Sequence, residues 1–434
     1  MKYSRYNSFY TNSGINYIYN SKTGKVCELH SSFKCLMLNF LPEEIRDLHI
    51  EFYEFLCENE FIISDDIDEV EDVIIKANKL HSANDEFWLF VNPTMDCNFS
   101  CWYCYENKKE SIMGKVIQKR IFRLLKNIAN NMDLKIIHLS FFGGEPMLQF
   151  YNVVLPIIDN IIHISTSRKL KLETSFTTNG YLIDCHIIEC LKERLDDCSF
   201  QITLDGDCSE HNKVRFQNFG EDSYNIIINN IKKLIFNDFY VRIRINCTNQ
   251  NYYSIENIIS DFEDLTEKQK KNLIFDFHQV WQDKANDRLE KHIESLRNIF
   301  NNKGFDVSKK YSINNMLSPC YADKENSVVV NYDGNIYKCT ARNFDEENSE
   351  GIINSEGQLM WNKNHRKLIT KDCLNIDTCV PCKIFPICLG GCSQHLRENN
   401  EVCVYSSEEI DVILKNKIEQ AIINSKQKND TPLN

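Results

Sequence analysis

The sequence predicts an α/β protein: a partial (β/α)6 TIM-type barrel, preceded by a winged-helix-like module and followed by a cysteine-rich, metal-stabilised domain. Three observations carry this. From Phe87 onward, apolar strand-like runs alternate with longer helical periods about six times. Before them stands a hairpin with helices. After Met316 cysteines crowd into a stretch of short strands and few long helices, where bound metal would supply stability that a small core cannot. A chain of 434 residues has room for two or three domains, and 42% hydrophobic residues can fill their cores.

The amino-terminal module spans residues 1–88. INYIYN, a turn at Ser21-Lys22-Thr23-Gly24 and KVCEL read as a β-hairpin, with Gly supplying the loop's unusual backbone angles. Helices follow over Ser32–Leu41 and Pro42–Asn59, the second opening on Pro42 with Glu43 and Glu44 in its first turn. FIIS is a short strand, and DDIDEVED opens another helix.

The barrel spans residues 89–283. Its strands are FWLFVNP, LKIIHLSFFGG, KLETSFTTNG, DDCSFQITLDG, YVRIRINCTN and LIFDFHQVW, with helices between them such as Lys115–Met132 and Tyr224–Asn237. Such repeats place a functional site at the carboxy-terminal ends of the strands. Residues 284–315 are a polar helical connector. Residues 316–410 form the cysteine-rich domain, with the strand pair SVVVNYDGNIYKC, and residues 411–434 a helix running into a polar tail.

Composition narrows function. A net charge of −12 argues against nucleic-acid binding. The first twenty residues hold no signal-type apolar segment, and no run reaches the ~18 apolar residues of a membrane span, so a cytoplasmic location is expected. In a reducing compartment, the odd total of 19 cysteines points to metal or redox chemistry rather than disulfides. They fall into two groups: Cys97, Cys101 and Cys104; and Cys320, Cys339, Cys379, Cys382, Cys388, Cys392 and Cys403. The scattered remainder, such as Cys27, Cys57 and Cys247, reads as small buried hydrophobes.

The first group, in VNPTMDCNFSCWYCYEN, has the spacing C-x3-C-x2-C directly after a strand. Three thiolates from one loop can hold three irons of a cubane and leave the fourth open to an external ligand. A zinc site would want a fourth protein ligand, and none is close in sequence. The loop resembles that of the radical S-adenosylmethionine superfamily. By this resemblance Cys97, Cys101 and Cys104 are the ligands at the catalytic centre, and Tyr103 lies against the adenine. The next strand ends in Gly143-Gly144-Glu145-Pro146. Paired glycines permit close backbone approach and a carboxylate can pair with an ammonium, which matches the superfamily's site for the methionine amino group. TTNG, with Asn179, and TLDGDCSEHNKVR resemble two further segments. In the second, the resemblance implies that Thr203 and Arg215 hold the methionine carboxylate.

The second group runs C-x13-G-x4-C, then C-x2-C-x5-C-x3-C, then a last cysteine, with Gly334 as its glycine. This resembles the SPASM twin-cluster extension of peptide-modifying radical enzymes. The resemblance implies one [4Fe–4S] cluster on Cys379, Cys382, Cys388 and Cys403 and another on Cys320, Cys339 and Cys392, with Cys373 outside both sets. It further implies three [4Fe–4S] clusters in all, and S-adenosylmethionine cleaved reductively to a 5′-deoxyadenosyl radical. The implied partners are an electron donor such as flavodoxin or ferredoxin and a peptide substrate captured by residues 1–88. Two activities follow: installing a thioether or carbon–carbon cross-link in a ribosomally made precursor, or forming formylglycine as anaerobic sulfatase-maturing enzymes do. The latter carry an Asp after the G-x4-C cysteine, where this chain has Thr340, so cross-linking is the expected reaction.

Overall fold

The computed structural model describes residues 1–131, 133–216, 222–283, 287–308, 320–365, 376–394, 403 and 405–429. These fall into two compact units. One holds the described residues from 83 to 308 and from 326 to 365; the other holds residues 1–82, 320–325 and the described residues after 375.

In the first unit all six expected strands are present: β1 (Glu86–Val91), β2 (Ile136–Phe141), β3 (Lys171–Thr178), β4 (Cys198–Leu204), β5 (Tyr240–Cys247) and β6 (Leu273–Gln279). They pair in parallel, each with its successor. Along each strand burial alternates, so that Phe87, Leu89 and Val91 of β1 are buried with a less buried residue between each. The buried row packs under the connecting helices, in one core with Ile157, Ile161, Ile227 and Ile231. The helix after β2 merits a note. Pro146–Arg168 is long and apolar enough to cross a membrane, which the sequence reading did not foresee. Its Val153, Ile157, Ile158 and Ile161 are instead buried in this core.

Among the described residues the sheet has eleven strands, five beyond the six of the barrel. Asp306–Val307 extends it beyond β6, and Ser327–Val330 lies parallel to β1 on the other side. Asn335–Tyr337, Gly351–Ile353 and Leu359–Trp361 continue it antiparallel. The strand pair expected in the cysteine-rich domain thus belongs to the same sheet as the barrel strands. All four residues of Ser327–Val330 are buried, as a central strand requires.

The second unit holds a three-stranded antiparallel sheet. The expected hairpin of Ile15–Asn20 and Val26–Leu29 is joined by an outer strand, Asn7–Asn12. Lys2–Tyr3 pairs with Ile62–Ile63, in the segment read as a short strand. The helix expected over Pro42–Asn59 is two, Pro42–Leu48 and Ile50–Glu58. His49 adopts φ −155°, ψ 86° and breaks the first, while its ring Nδ1 accepts the Phe52 N–H at 3.1 Å and caps the second. Glu69–His81 starts where the acidic run predicts, with Asp68 accepting the N–H groups of Val70 and Glu71. Val70, Val73 and Ile74 of this helix share a core with Tyr6, Phe385 and Leu389, so residues 1–82 pack with the cysteine-rich segment. Ser407–Asn429 forms the last helix, with Ile418 and Ile422 against Tyr17 and Tyr19.

Not every scattered cysteine is a buried hydrophobe. Cys198 and Cys247 are buried, but Cys35 and Cys185 lie on exposed helix faces, where a thiol costs little in a reducing setting. Cys373 lies outside the described residues.

Candidate active site

The loop after β1 is held by its own polar atoms. Thr94 Oγ1 donates to Ser111 O at 2.6 Å and accepts the Asp96 N–H, and Asp96 Oδ1 accepts the Cys97 N–H. The Cys97 sulfur accepts the Phe99 N–H at 3.4 Å, and Cys104 N–H closes a turn on Cys101 O. Gly143 and Gly144, after β2, lie directly on this loop. Gly144 N–H donates to Thr94 O at 3.1 Å and Glu145 N–H to Asp96 O at 2.8 Å. A Cβ on Gly144 would stand 2.1 Å from Asp96 O, so only glycine fits.

A cavity of about 460 Å³ opens beside the loop. Of the residues singled out from the sequence, Cys97, Cys101, Tyr103, Cys104, Gly143, Gly144, Asn179, Thr203, Arg215 and Thr340 all line it. Glu145 does not. Its carboxylate is completely buried, accepting from Thr178 Oγ1 at 2.6 Å, Asn179 N–H at 2.7 Å and Met147 N–H at 3.0 Å. Burial raises its pKa, and these three donors pull the other way. Asn179 Nδ2 donates to Asn98 Oδ1 at 2.7 Å, tying the end of β3 to the cysteine loop.

Tyr103 and Arg215 meet at Asp205, which sequence reasoning passed over. Tyr103 Oη donates to Asp205 Oδ2 at 2.6 Å, Arg215 donates to Tyr103 Oη at 2.9 Å, and Arg215 Nε lies 3.8 Å from the same carboxylate. Asp205 and Arg215 are buried and Tyr103 is half-buried, and the Arg215 guanidinium also lies over the Phe99 ring at 5.6 Å. The signal was present: Asp205 ends the alternating run of β4 in the same segment, TLDG, as Thr203. Arg215 follows the short helix Cys208–Val214, which Asp207 caps by accepting the Glu210 N–H. Four other lining residues also went unnoticed. Arg244 is the register partner of Thr203 and donates to Asn246 Oδ1 at 3.1 Å. Glu106 has a shielded Oε1 without a partner among the described residues, and burial pushes its carboxyl up to about 8. At the same cavity, Tyr105 and Trp281 stack at 5.9 Å.

The donor chemistry fits an iron–sulfur cluster. Among the described residues no three Cys, His, Asp or Glu side chains converge on a single metal position. A cubane does not ask for that, since each thiolate takes its own iron corner. Burial raises the thiols of all three loop cysteines, Cys97 to about 12, so they stay protonated until metal displaces the proton. In the other unit Cys379, Cys382, Cys388 and Cys403 are free thiols close enough that Cys388 senses the charge of the other three. The Cys403 sulfur accepts the Tyr405 N–H at 3.5 Å, and backbone N–H groups of Ile384 and Phe385 lie near the Cys382 sulfur and that of Gly390 near the Cys388 sulfur. Of the rest, Cys320 and Cys392 are exposed in that unit, and Cys339, half-buried, belongs to the first.

Residues 91–271 match the family model described as the radical SAM superfamily. The chain carries a radical SAM domain. It is 24% identical over 387 residues to the radical SAM cyclopropyl synthase TigE of Paramaledivibacter caminithermalis, covering 80% of this chain and 76% of that one. It is 27% identical over 348 residues to a cysteine-type anaerobic sulfatase-maturating enzyme of Clostridium novyi, covering 72% and 89%. Among solved structures, anSMEcpe with bound AdoMet and the Cp18Cys peptide aligns with TM-score 0.55 at 19% identity, covering 77% of this chain and 99% of that one. Streptococcus suis SuiB bound to its precursor peptide SuiA aligns with TM-score 0.50 at 15% identity, covering 93% and 100%. The radical SAM fold therefore holds the cavity at the carboxy-terminal ends of β1–β6.

Proposed function

We propose that this radical SAM enzyme is a SPASM-type maturase that installs a thioether or carbon–carbon cross-link in a ribosomally made precursor peptide. The observation that carries this is the cavity. Three cysteines, the glycine pair and a polar row from successive strands (Ser140, Thr177, Gln201, Thr203 and Arg244) line one space. Its size suits a nucleotide-sized ligand together with a substrate side chain. Support for a peptide substrate comes from SuiB with its bound precursor peptide and from anSMEcpe with its bound peptide.

In this reading Cys97, Cys101 and Cys104 hold a [4Fe–4S] cluster, and Cys379, Cys382, Cys388 and Cys403 hold an auxiliary one. Cys320, Cys339 and Cys392 serve a third. When bound, cluster and S-adenosylmethionine supply the hydrogen-abstracting 5′-deoxyadenosyl radical, so the protein's own work is placement and exclusion of water. Gly143 and Gly144 admit the methionine backbone, and Thr203 and Arg215 stand ready for its carboxylate. Glu145, expected at the methionine amino group, is buried behind the cavity wall, where its bonds to Thr178, Asn179 and Met147 hold the end of β3 in place. Residues 1–88 take the leader peptide, flavodoxin or ferredoxin supplies electrons, and the enzyme works in the cytoplasm without nucleic acid or membrane.

One observation favours formylglycine formation as a second reading. Thr340 lines the cavity where a sulfatase-type enzyme would carry its base, and a hydroxyl does not ionise near neutral pH. Glu106, on the same cavity, is a carboxyl that could take the proton instead. Mass spectrometry decides between them. With the precursor encoded beside the gene, S-adenosylmethionine and a reductant, each modification removes two hydrogens. A sulfatase-motif peptide stays unchanged. An aldehyde on that peptide, with loss of sulfur from Cys, would replace the cross-linking assignment.

A further inference from the structure

Tyr6 carries a buried hydroxyl that its surroundings leave unanswered. The residue is 1% exposed and sits in the core with Val70, Val73, Ala77, Phe385 and Leu389, against which Cys379 and Cys382 pack. Its Oη is shielded from solvent and meets no hydrogen-bond partner among the described residues. An unpaired buried hydroxyl costs stability, and phenylalanine would fill the same space without that cost. The neighbouring sulfurs, by contrast, have donors near them: the backbone N–H groups of Ile384 and Phe385 beside Cys382 and that of Gly390 beside Cys388. Donors around a sulfur are what a charged cluster thiolate calls for.

We infer that the Tyr6 O–H donates a hydrogen bond to the Cys382 side of the cluster held by Cys379, Cys382, Cys388 and Cys403. Tyr6 is thereby a positioning residue that sets that cluster's reduction potential. The inference rests on the auxiliary-cluster reading proposed above. A phenol keeps its proton throughout the working range. Held there, the Tyr6 O–H would stabilise the added negative charge of a one-electron-reduced cluster, with the proton remaining on Oη. Removing the donor therefore disfavours the reduced form.

The test compares the anaerobically reconstituted full chain with its Tyr6→Phe variant, using dithionite titration followed by electron paramagnetic resonance. Equal iron content is expected. One auxiliary signal should move to lower potential by about tenfold in its reduction equilibrium, ~59 mV for a one-electron couple, while the other signals stay in place. Equal iron with unmoved potentials overturns the inference. Melting curves provide a second readout that does not depend on the titration. In the iron-free chain Tyr6→Phe should be at least as stable as the parent, because an unpaired group is gone. In the loaded chain it should be less stable. The same change in both states also overturns the inference. A parent chain that binds only about four irons refutes the multi-cluster reading itself, and is told apart by iron count before any variant is made.

Discussion

At Gly144 an added methyl group would meet Asp96 O at 2.1 Å and Met95 C at 2.7 Å, both backbone atoms of the segment leading into Cys97. Backbone cannot rotate away as a side chain can, so Gly144→Ala must push the cysteine loop off the glycine strand end. Overpacking of this kind costs about 1–3 kcal/mol. S-adenosylmethionine affinity of the reconstituted enzyme should fall at least tenfold, read by equilibrium dialysis. Unchanged affinity would show that the glycine pair does not shape the ligand site. Glu106 gives a pH signature. Its folded pKa, about 8, lies above the ordinary value of 4.5, so the folded state holds a proton that the unfolded chain releases. The resulting stability is complete below the unfolded pKa and is lost as pH rises from there through about 8. Glu106→Gln cannot lose it. The melting temperature of the variant should therefore gain on the parent from pH 5 to 8, and a constant difference would place Glu106 in water. Residues of this sort were hard to read from sequence. Cys97, Gly143 and Arg215 stand in motifs, whereas the weight of Glu106, Asp205 and Tyr6 depends on which atoms fold over them.

Elements were legible where local pattern and tertiary environment agree. The six strands β1–β6 alternate, end in turn residues and are separated by helical periods, so each could be placed from its own residues. Pairing of Ser327–Val330 with β1 was not legible, because it joins segments far apart in the chain and leaves no local mark. The same holds for the helix Glu69–His81. Its start is written in Asp68 and the acidic first turn, but its partners Phe385 and Leu389 are not. That partnership changes what a substitution in the amino-terminal module should do. Ile74 is 6% exposed in this shared core. Ile74→Asp would bury a carboxylate with nothing to pair it, a cost of several kcal/mol. The support under Phe385 would go with it, and with that the short helix ending at Cys388. Iron should fall by about four atoms per chain, while S-adenosylmethionine binding in the unit that carries the Cys97 loop persists. Full iron content in a folded Ile74→Asp chain would show that residues 1–82 do not support the cysteine segment.

For the molecule as a whole, the distribution of cysteines over two separately cored units makes a quantitative demand. Cys97, Cys101 and Cys104 sit in the unit whose core is the β1–β6 sheet and its helices, whereas Cys379, Cys382, Cys388 and Cys403 sit in the unit built around Tyr6, Val73 and Phe385. Each unit has apolar residues of its own to keep it folded, so emptying one thiol set should not unfold the other. Ten candidate ligands in three sets imply about twelve irons per reconstituted chain. Replacing Cys97, Cys101 and Cys104 together by Ala removes about a third of them. The three substitutions remove only sulfurs at the edge of the cavity, so the sheet and its melting transition should survive. Cleavage of S-adenosylmethionine should vanish altogether, since among the described residues no other cysteine set lines the cavity that also holds Gly143, Thr203 and Arg215. The auxiliary signals should persist at their parental potentials. Iron analysis, electron paramagnetic resonance and chromatography of 5′-deoxyadenosine measure the three quantities on one preparation. Cleavage retained in the triple variant would mean that this loop does not hold the reactive cluster, and the assignment of the cavity would fall with it.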